Sequence, residues 1–403
     1  MFKRMAALVS TCLLASGCLG STSTPKEDTR IEAKQIAPLV QEGSTPRQSF
    51  PPYPLTSKMQ EEAETKTTRV KLAAIGDILI HDKVYIDAKQ KDGTYNFDRI
   101  FACVTNELQA PDILVANQET MIGGKELRLS SYPSFNSPHE IGDALKLAGV
   151  DIVTVANNHA LDRGEKVIQS ALTYWDTLGI PYTGSFKSQN DRDRIRTVTK
   201  NEITFSFLSY TYGTNGIPTP KGKPFLINRI DDSQIRTDVE QAKRLSDVIV
   251  VALHWGNEYQ RFPDVNQTSL ARKLADMGVH IIIGNHPHVL QPPAWIEGKQ
   301  GHRTFVVYSL GNFLSAQINL YKQIGGMATI DVVKTTNKET KKIELLMPGF
   351  LPTYTHSLQG RHFQIISMDR LTNEQLIHAN SHYESIKKHM RTNIPELHIM
   401  TSS

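Results

Sequence analysis

Residues 153–164 read VTVANNHALDRG, so Asn157, Asn158, His159 and Asp162 follow directly on a β-branched apolar run. Carboxamide, imidazole and carboxylate this close together can hold a metal ion or move a proton. Similar polar groups recur along the chain wherever a strand pattern stops. Asp77 follows VKLAAIG (70–76), Asn117 and Glu119 follow DILVA (112–116), and His254 lies in DVIVVALHW (247–255). His286 and His288 follow HIIIG (280–284). Ligands of open α/β sheets bind beyond the carboxyl ends of strands, so these groups are expected to converge.

Oxygen donors mixed with imidazole, and no thiolate, favour one or two borderline divalent ions: Mn, Fe, Co or Zn. Such sites more often do chemistry than hold a fold together. Two ions about 3.5–4 Å apart can activate water and bind both oxygens of a displacement at phosphorus. Glu119 is the candidate bridging carboxylate. His286 and His288 flank Pro287, where turn capping is the competing role; their place beside a buried strand weighs against it. Asp162 precedes GEKVIQSAL and can serve as a helix N-cap, a proton-relay partner, or both. Asn157 is a candidate substrate contact, with service to its own turn equally open. VYSLGNF offers Ser309 and Asn312, but nothing resembles a nucleophile elbow, so both are read as turn or substrate-contact residues. Trp255 and Glu258, beside His254, are candidates to line the cleft, with core packing equally open for Trp255.

The elements that must position these groups alternate. Helical spacing in SPHEIGDALKLAG, GEKVIQSALTYWDTLG, QIRTDVEQAKRLS and SLARKLADMG separates the strand runs, which predicts an α/β architecture. ITFSFLSY, MATIDVV, KIELLMP and RHFQIISM lack long helices between them and predict antiparallel additions, with room for a second sheet. HYESIKKHMRTNIPELHIM reads as a terminal helix and tail.

The N-terminus MFKRMAALVSTCLLASGC joins a basic start to an apolar stretch too short to span a bilayer. Small residues ending in Gly17-Cys18 look like a bacterial lipoprotein signal (1–17), with Cys18 as the lipidation site, so an extracytoplasmic, membrane-anchored protein is expected. Residues 18–69 are rich in Ser, Thr, Pro, Lys, Glu and Gln and read as a flexible tether. Cys103 then stands alone, and no disulfide framework exists. The formal net charge is +4, with no aromatic-interleaved basic stretch, which excludes a nucleic-acid partner.

Together AIGDILIH, VANQET, VTVANNHALDRG, ALHWGNEY, IIIGNHPHVLQP and VYSLGNF resemble the capsule-synthesis CapA family of poly-γ-glutamate production, over residues 70–320. That family in turn resembles calcineurin-like metallophosphoesterases. The resemblance implies a four-layer α/β/β/α sandwich over 70–333, with 334–403 completing or flanking it. It implies metal ligation by Asp77, Glu119, Asn158, His254, His286 and His288. It makes His159 a proton donor oriented by Asp162, and leaves Asn117, Asn157, Glu258 and Asn312 for substrate. Poly-γ-glutamate or another anionic envelope substrate, and subunits of a membrane synthetase, are the implied partners.

Two departures stand out. Where the phosphoesterases have Asp-x-His, Asp77 is followed by Ile78 and Leu79, so one histidine ligand is missing. His81 is a candidate substitute, with a surface loop position as its alternative. Asn117-Gln118-Glu119 replaces the usual Gly-Asp. A dinuclear hydrolase, a mononuclear enzyme, a metal-assisted binder and a non-catalytic scaffold of a membrane synthetase all stay open.

Overall fold

The computed structural model describes residues 65–402. The expected signal, Cys18 and nearly all of the tether lie outside the described residues. β1 (Lys66–Ile78), β2 (Ile113–Gln118), β3 (Ile152–Thr154) and β4 (Tyr182–Thr183) run parallel in that order. On the other side of β1, strands Ile324–Thr336, Lys341–Leu358 and Arg361–Ser367 follow antiparallel. Short strands Asn312–Leu314 and His398–Ile399 complete a nine-stranded sheet.

A second sheet has six strands. β5 (Arg196–Lys200), β6 (Ile203–Thr211), β7 (Val248–His254) and β8 (Ile281–Asn285) lie side by side, followed by Arg303–Val307 and Ala294–Glu297. β6, β7 and β8 are mutually parallel. ITFSFLSY is antiparallel to β5, as its sequence suggested, and on its other side is also a parallel partner of β7, which the sequence did not suggest. Its partner β7 lies beyond the helix Asp232–Leu245, which makes the crossover that a parallel pair requires. The three late strands do add antiparallel, but to the first sheet.

Side-chain alternation along β1 builds the layers. Val70, Leu72 and Ala74 face the second sheet and pack with Phe205, Phe207, Val250 and Ile283. Ala73 and Ile75 face outward, into a cluster with Ile168, Leu172 and Trp175 of the helix Gly164–Leu178. Beyond the second sheet, Val251 and Leu253 meet Val239 of Asp232–Leu245 and Leu274 of the helix Val265–Asp276. Helix, sheet, sheet, helix is the expected four-layer sandwich. Each large apolar side chain buried here contributes roughly 1.5–3 kcal/mol, so the strand ends are anchored in a rigid body. No helix among the described residues is long and apolar enough to cross a membrane.

Candidate metal centre

Both parallel strand sets deliver their carboxyl ends to one place. Asp77 lies near the end of β1, Glu119 just past β2, and Asn158 and His159 in the turn after β3. His254 ends β7, while His286 and His288 follow β8. All are buried, from 0% exposed at Asp77 and Glu119 to 6% at His159. Two backbone features allow this crowding. Gly76 lets residues 310–312 approach β1, since a Cβ there would meet Gly311 O at 2.1 Å. His286 and His288 hold positive φ, +98° and +57°, which costs backbone energy that the surrounding core must offset.

His254 Nε2 and Asn158 Oδ1 face each other at 2.8 Å. His254 Nε2 and His288 Nε2 each lie 3.6 Å from Glu119 Oε1. On the far side, His288 Nδ1 donates to Asp77 Oδ2 (3.1 Å) and Asn312 Oδ1 (3.0 Å), which leaves Nε2 to the centre. Donor atoms of Glu119, His254 and His286 fall within 4.8 Å of one another, as do those of Asp77, Glu119 and His288. The two groups share Glu119.

The Glu119 carboxylate has no hydrogen bond to either oxygen, and His254 Nδ1 and His286 Nδ1 are likewise buried without partners. A fully buried carboxylate left this way is costly unless a cation faces it. Burial pushes Glu119 well above the usual carboxylate range, against the pull of His288. Burial also opposes charge on His288, but Glu119 and Asp77 outweigh it and raise that imidazole to about 9. Burial and the neighbouring imidazoles keep His254 far below its ordinary value and His286 down at about 3, so both present neutral nitrogens. Neutral imidazoles around an unsatisfied carboxylate fit a divalent cation.

Beside the donors, His159 Nδ1 donates to Asp162 Oδ2 at 2.8 Å, and the same oxygen accepts from Phe135 N at 2.9 Å. Asp162 does not cap the following helix, whose N-cap is Arg163 with no side-chain cap bond. The Phe135 ring packs edge-on against His159 at 4.7 Å and His81 at 5.3 Å. The carboxylate fixes the tautomer and leaves Nε2 as the nitrogen able to exchange a proton.

Three of the residues assigned to substrate are instead part of the scaffold. Asn117 donates to Asp77 Oδ1 (2.8 Å) and accepts from Thr154 Oγ1 (3.1 Å). Asn157 accepts from His159 N (2.9 Å) and donates to Gln118 O (3.1 Å), bonds that serve its own turn. Asn312 orients His288 and donates to Gln317 Oε1 and Lys322 O. Glu258 is exposed at the edge of the centre. Ser309 Oγ accepts from Gly311 N, a turn role, and Trp255 is core. His81 joins no donor group among the described residues; its Nδ1 lies 3.1 Å from Leu79 O and 3.3 Å from Ala316 N.

Two residues at the mouth escaped the sequence reading, both in the loop after β6. The Tyr212 ring lies 4.7 Å from that of His286, and Asn215 Oδ1 accepts from Asn158 Nδ2 at 3.2 Å. Recognising β6 as parallel is the signal that would have placed its following loop at the site.

A family model described as bacterial capsule synthesis protein PGA_cap matches residues 71–317. The PGA biosynthesis protein CapA of Bacillus subtilis (strain 168) is 30% identical over 253 residues, covering 60% of this chain and 62% of that protein. The capsule biosynthesis protein CapA of Bacillus anthracis is 28% identical over 295 residues, covering 67% of this chain and 68% of its own. The chain thus spans less than two thirds of the Bacillus subtilis relative. Among solved structures, the Haemophilus influenzae NAD nucleotidase (NadN) aligns at TM-score 0.43 and 10% identity, over 84% of this chain and 65% of that one.

Proposed function

Because the chain belongs to the PGA_cap family of bacterial capsule synthesis proteins, we propose that it acts in poly-γ-glutamate capsule synthesis or export. In this reading it is lipid-anchored through Cys18 outside the cytoplasm and works through a metal-lined cleft. The observation that carries the metal is the bare, fully buried Glu119 carboxylate ringed by imidazoles. Glu119, Asn158, His254 and His286 would hold one Mn, Fe or Zn ion; Asp77, Glu119 and His288 would contribute to a second. Bound divalent ions supply Lewis-acid polarisation and attract carboxylates.

The chain's own residues do the rest. Cations border the opening: Lys322 Nζ lies 3.5 Å from the centroid of the Tyr259 ring, and that ring is 6.2 Å from His288. Arg261 sits over Tyr321 at 3.9 Å. An anionic polymer drawn to these charges reaches the centre along their aromatic supports. Changing His254 and His286 together to Ala in the full chain should lower bound metal and abolish capsule output. Unchanged metal content and polymer yield would overturn the proposal. For the anchor, Cys18→Ser should release the protein from the membrane fraction; retention there would exclude that attachment.

The His159–Asp162 pair at 2.8 Å supports a second reading, an extracytoplasmic metal-dependent hydrolase of phosphoesters or another envelope bond. It predicts metal-dependent turnover that falls about 10²–10⁴-fold in His159→Ala, with metal content unchanged. No turnover with Mn, Zn or Fe on phosphoester and amide substrates would leave the binding role alone.

A further inference from the structure

The sequence Asp77-Ile78-Leu79 leaves the Asp77 half of the centre one donor short. At the exposed edge of the centre stands the Glu258 carboxylate. Donor atoms of Glu258, His286 and His288 lie within 4.8 Å of one another. Two donors on one ion, with bonds of about 2.1 Å, span roughly 3.0–3.4 Å, so this group needs a closing movement of about 1–2 Å at most to share a cation. The segment that carries Glu258 is held in place by strain. Gly256 and Tyr259 adopt φ of +79° and +66°, and Tyr259 N donates to Pro287 O at 2.7 Å. That bond ties Glu258 to the His286-Pro287-His288 turn.

The neighbouring Tyr259 hydroxyl is hydrogen-bonded to the Glu258 carboxylate. Among the described residues no lysine or arginine forms an ion pair with Glu258. Its negative charge is felt by both Glu119 and His288. At the mouth of a cleft that takes a polyanion, a carboxylate without a cationic partner repels the ligand unless a cation stands between them. The buried, unpartnered Nδ1 of His286 is an independent sign that the cluster lacks a ligand.

We propose that Glu258 is a metal ligand, an oxygen donor that joins His286 and His288 at the exposed face of the centre. The inference rests on the metal-centre reading above. One consequence is chemical asymmetry. With Asp77 and Glu119 against His288, that half is oxygen-rich and suits Mn²⁺ or Fe²⁺ better than Zn²⁺, and Glu258 adds a further oxygen where His288 adjoins His286. The half holding His254, His286 and Asn158 is richer in imidazole and tolerates Zn²⁺.

The test is a Mn²⁺ titration of the purified full chain, read by calorimetry and by metal content after gel filtration. Glu258→Gln should weaken one class of site by at least about tenfold, or lose that equivalent, with the other class intact. Glu258→His should retain both and shift the affected class towards Zn²⁺. Glu258 is exposed, so a circular dichroism spectrum like that of the parent is expected for either variant. Unaltered binding by Glu258→Gln overturns the assignment. A parent protein that takes up no Mn²⁺, Fe²⁺ or Zn²⁺ overturns the underlying metal reading instead.

Discussion

The two halves of the centre share Glu119 and differ in almost everything else. Around His254 the hydrogen bonding is thinner: His254 and His286 are neutral with partnerless Nδ1 atoms, and the one contact is His254 Nε2 to Asn158 Oδ1 at 2.8 Å. Around Asp77 the protein has turned inward. Asp77 Oδ1 takes a hydrogen bond from Asn117, and Oδ2 takes one from His288 Nδ1 at 3.1 Å. One half is therefore built to be completed by an ion, whereas the other is partly completed by the protein itself. The number of ligands in a motif does not by itself measure a site; how far those ligands are already satisfied matters as much.

The largest test of this contrast removes the shared residue. Glu119→Gln should weaken both classes of metal binding by more than the roughly 10–100-fold typical of losing an outer partner. Metal at a hundred times Kd stabilises a protein by about 2.7 kcal/mol, and thermal melts should show that gain vanish in the variant. Without metal, Glu119→Gln should melt no lower than the parent, because a buried carboxylate without hydrogen bonds has been neutralised. A metal-induced rise in Tm that survives would show that Glu119 is not shared. The next largest effect separates the halves. His254→Ala should abolish the tighter class of binding in calorimetry, while His288→Ala should remove the weaker class and leave the tighter within about tenfold of the parent. Equal losses in the two variants would erase the distinction.

Much of this was legible before any coordinates, for a specific reason. Asp77, Glu119, His254, His286 and His288 each follow an apolar run whose period shows where the strand stops, and parallel strands bring such ends together. The roles of Asn117, Asn157 and Asn312 were not legible, because their partners are not local. Asn117 meets Asp77 forty residues away in sequence, and Asn312 meets His288 across twenty-four. A carboxamide at a strand end looks the same whether it faces a ligand or a neighbour. The β6 loop was missed because parallel pairing depends on β7, not on the composition of β6. The late strands lengthen the first sheet for the same kind of reason: their register is set by β1.

Leu79→His tests whether the missing donor is what weakens the Asp77 half. Strand alternation places position 79 on the face of Asp77. The imidazole should tighten the weaker class about tenfold and leave the tighter one unchanged, as read by the same titration. Leu79 is 2% exposed, so the metal-free variant should lose about 1–3 kcal/mol in denaturant melts, from a polar ring in an apolar place. Destabilisation with no gain in affinity would mean that the half is limited by the hydrogen bonds that already hold Asp77.

The smallest expected effect lies outside the donors, at Asn215. Its Oδ1 accepts from Asn158 Nδ2, which turns the Asn158 oxygen towards His254, while its own Nδ2 lies 3.3 Å from His159 Nδ1. The shorter contact to Asp162 claims the proton on that nitrogen, so Asn215 acts chiefly through Asn158. Asn215 also sits at φ +50°, a conformation that alanine adopts less readily than asparagine or glycine. Asn215→Gly therefore removes the amide without adding strain, and Asn215→Ala does both. Because Asn215 is exposed, its loss should cost the tighter class only about threefold to tenfold, the low end for an outer partner. The two variants should weaken binding equally if the hydrogen bond to Asn158 is what matters. A loss confined to Asn215→Ala would assign the effect to the loop backbone, and the contrast between the halves would then rest on the donors alone.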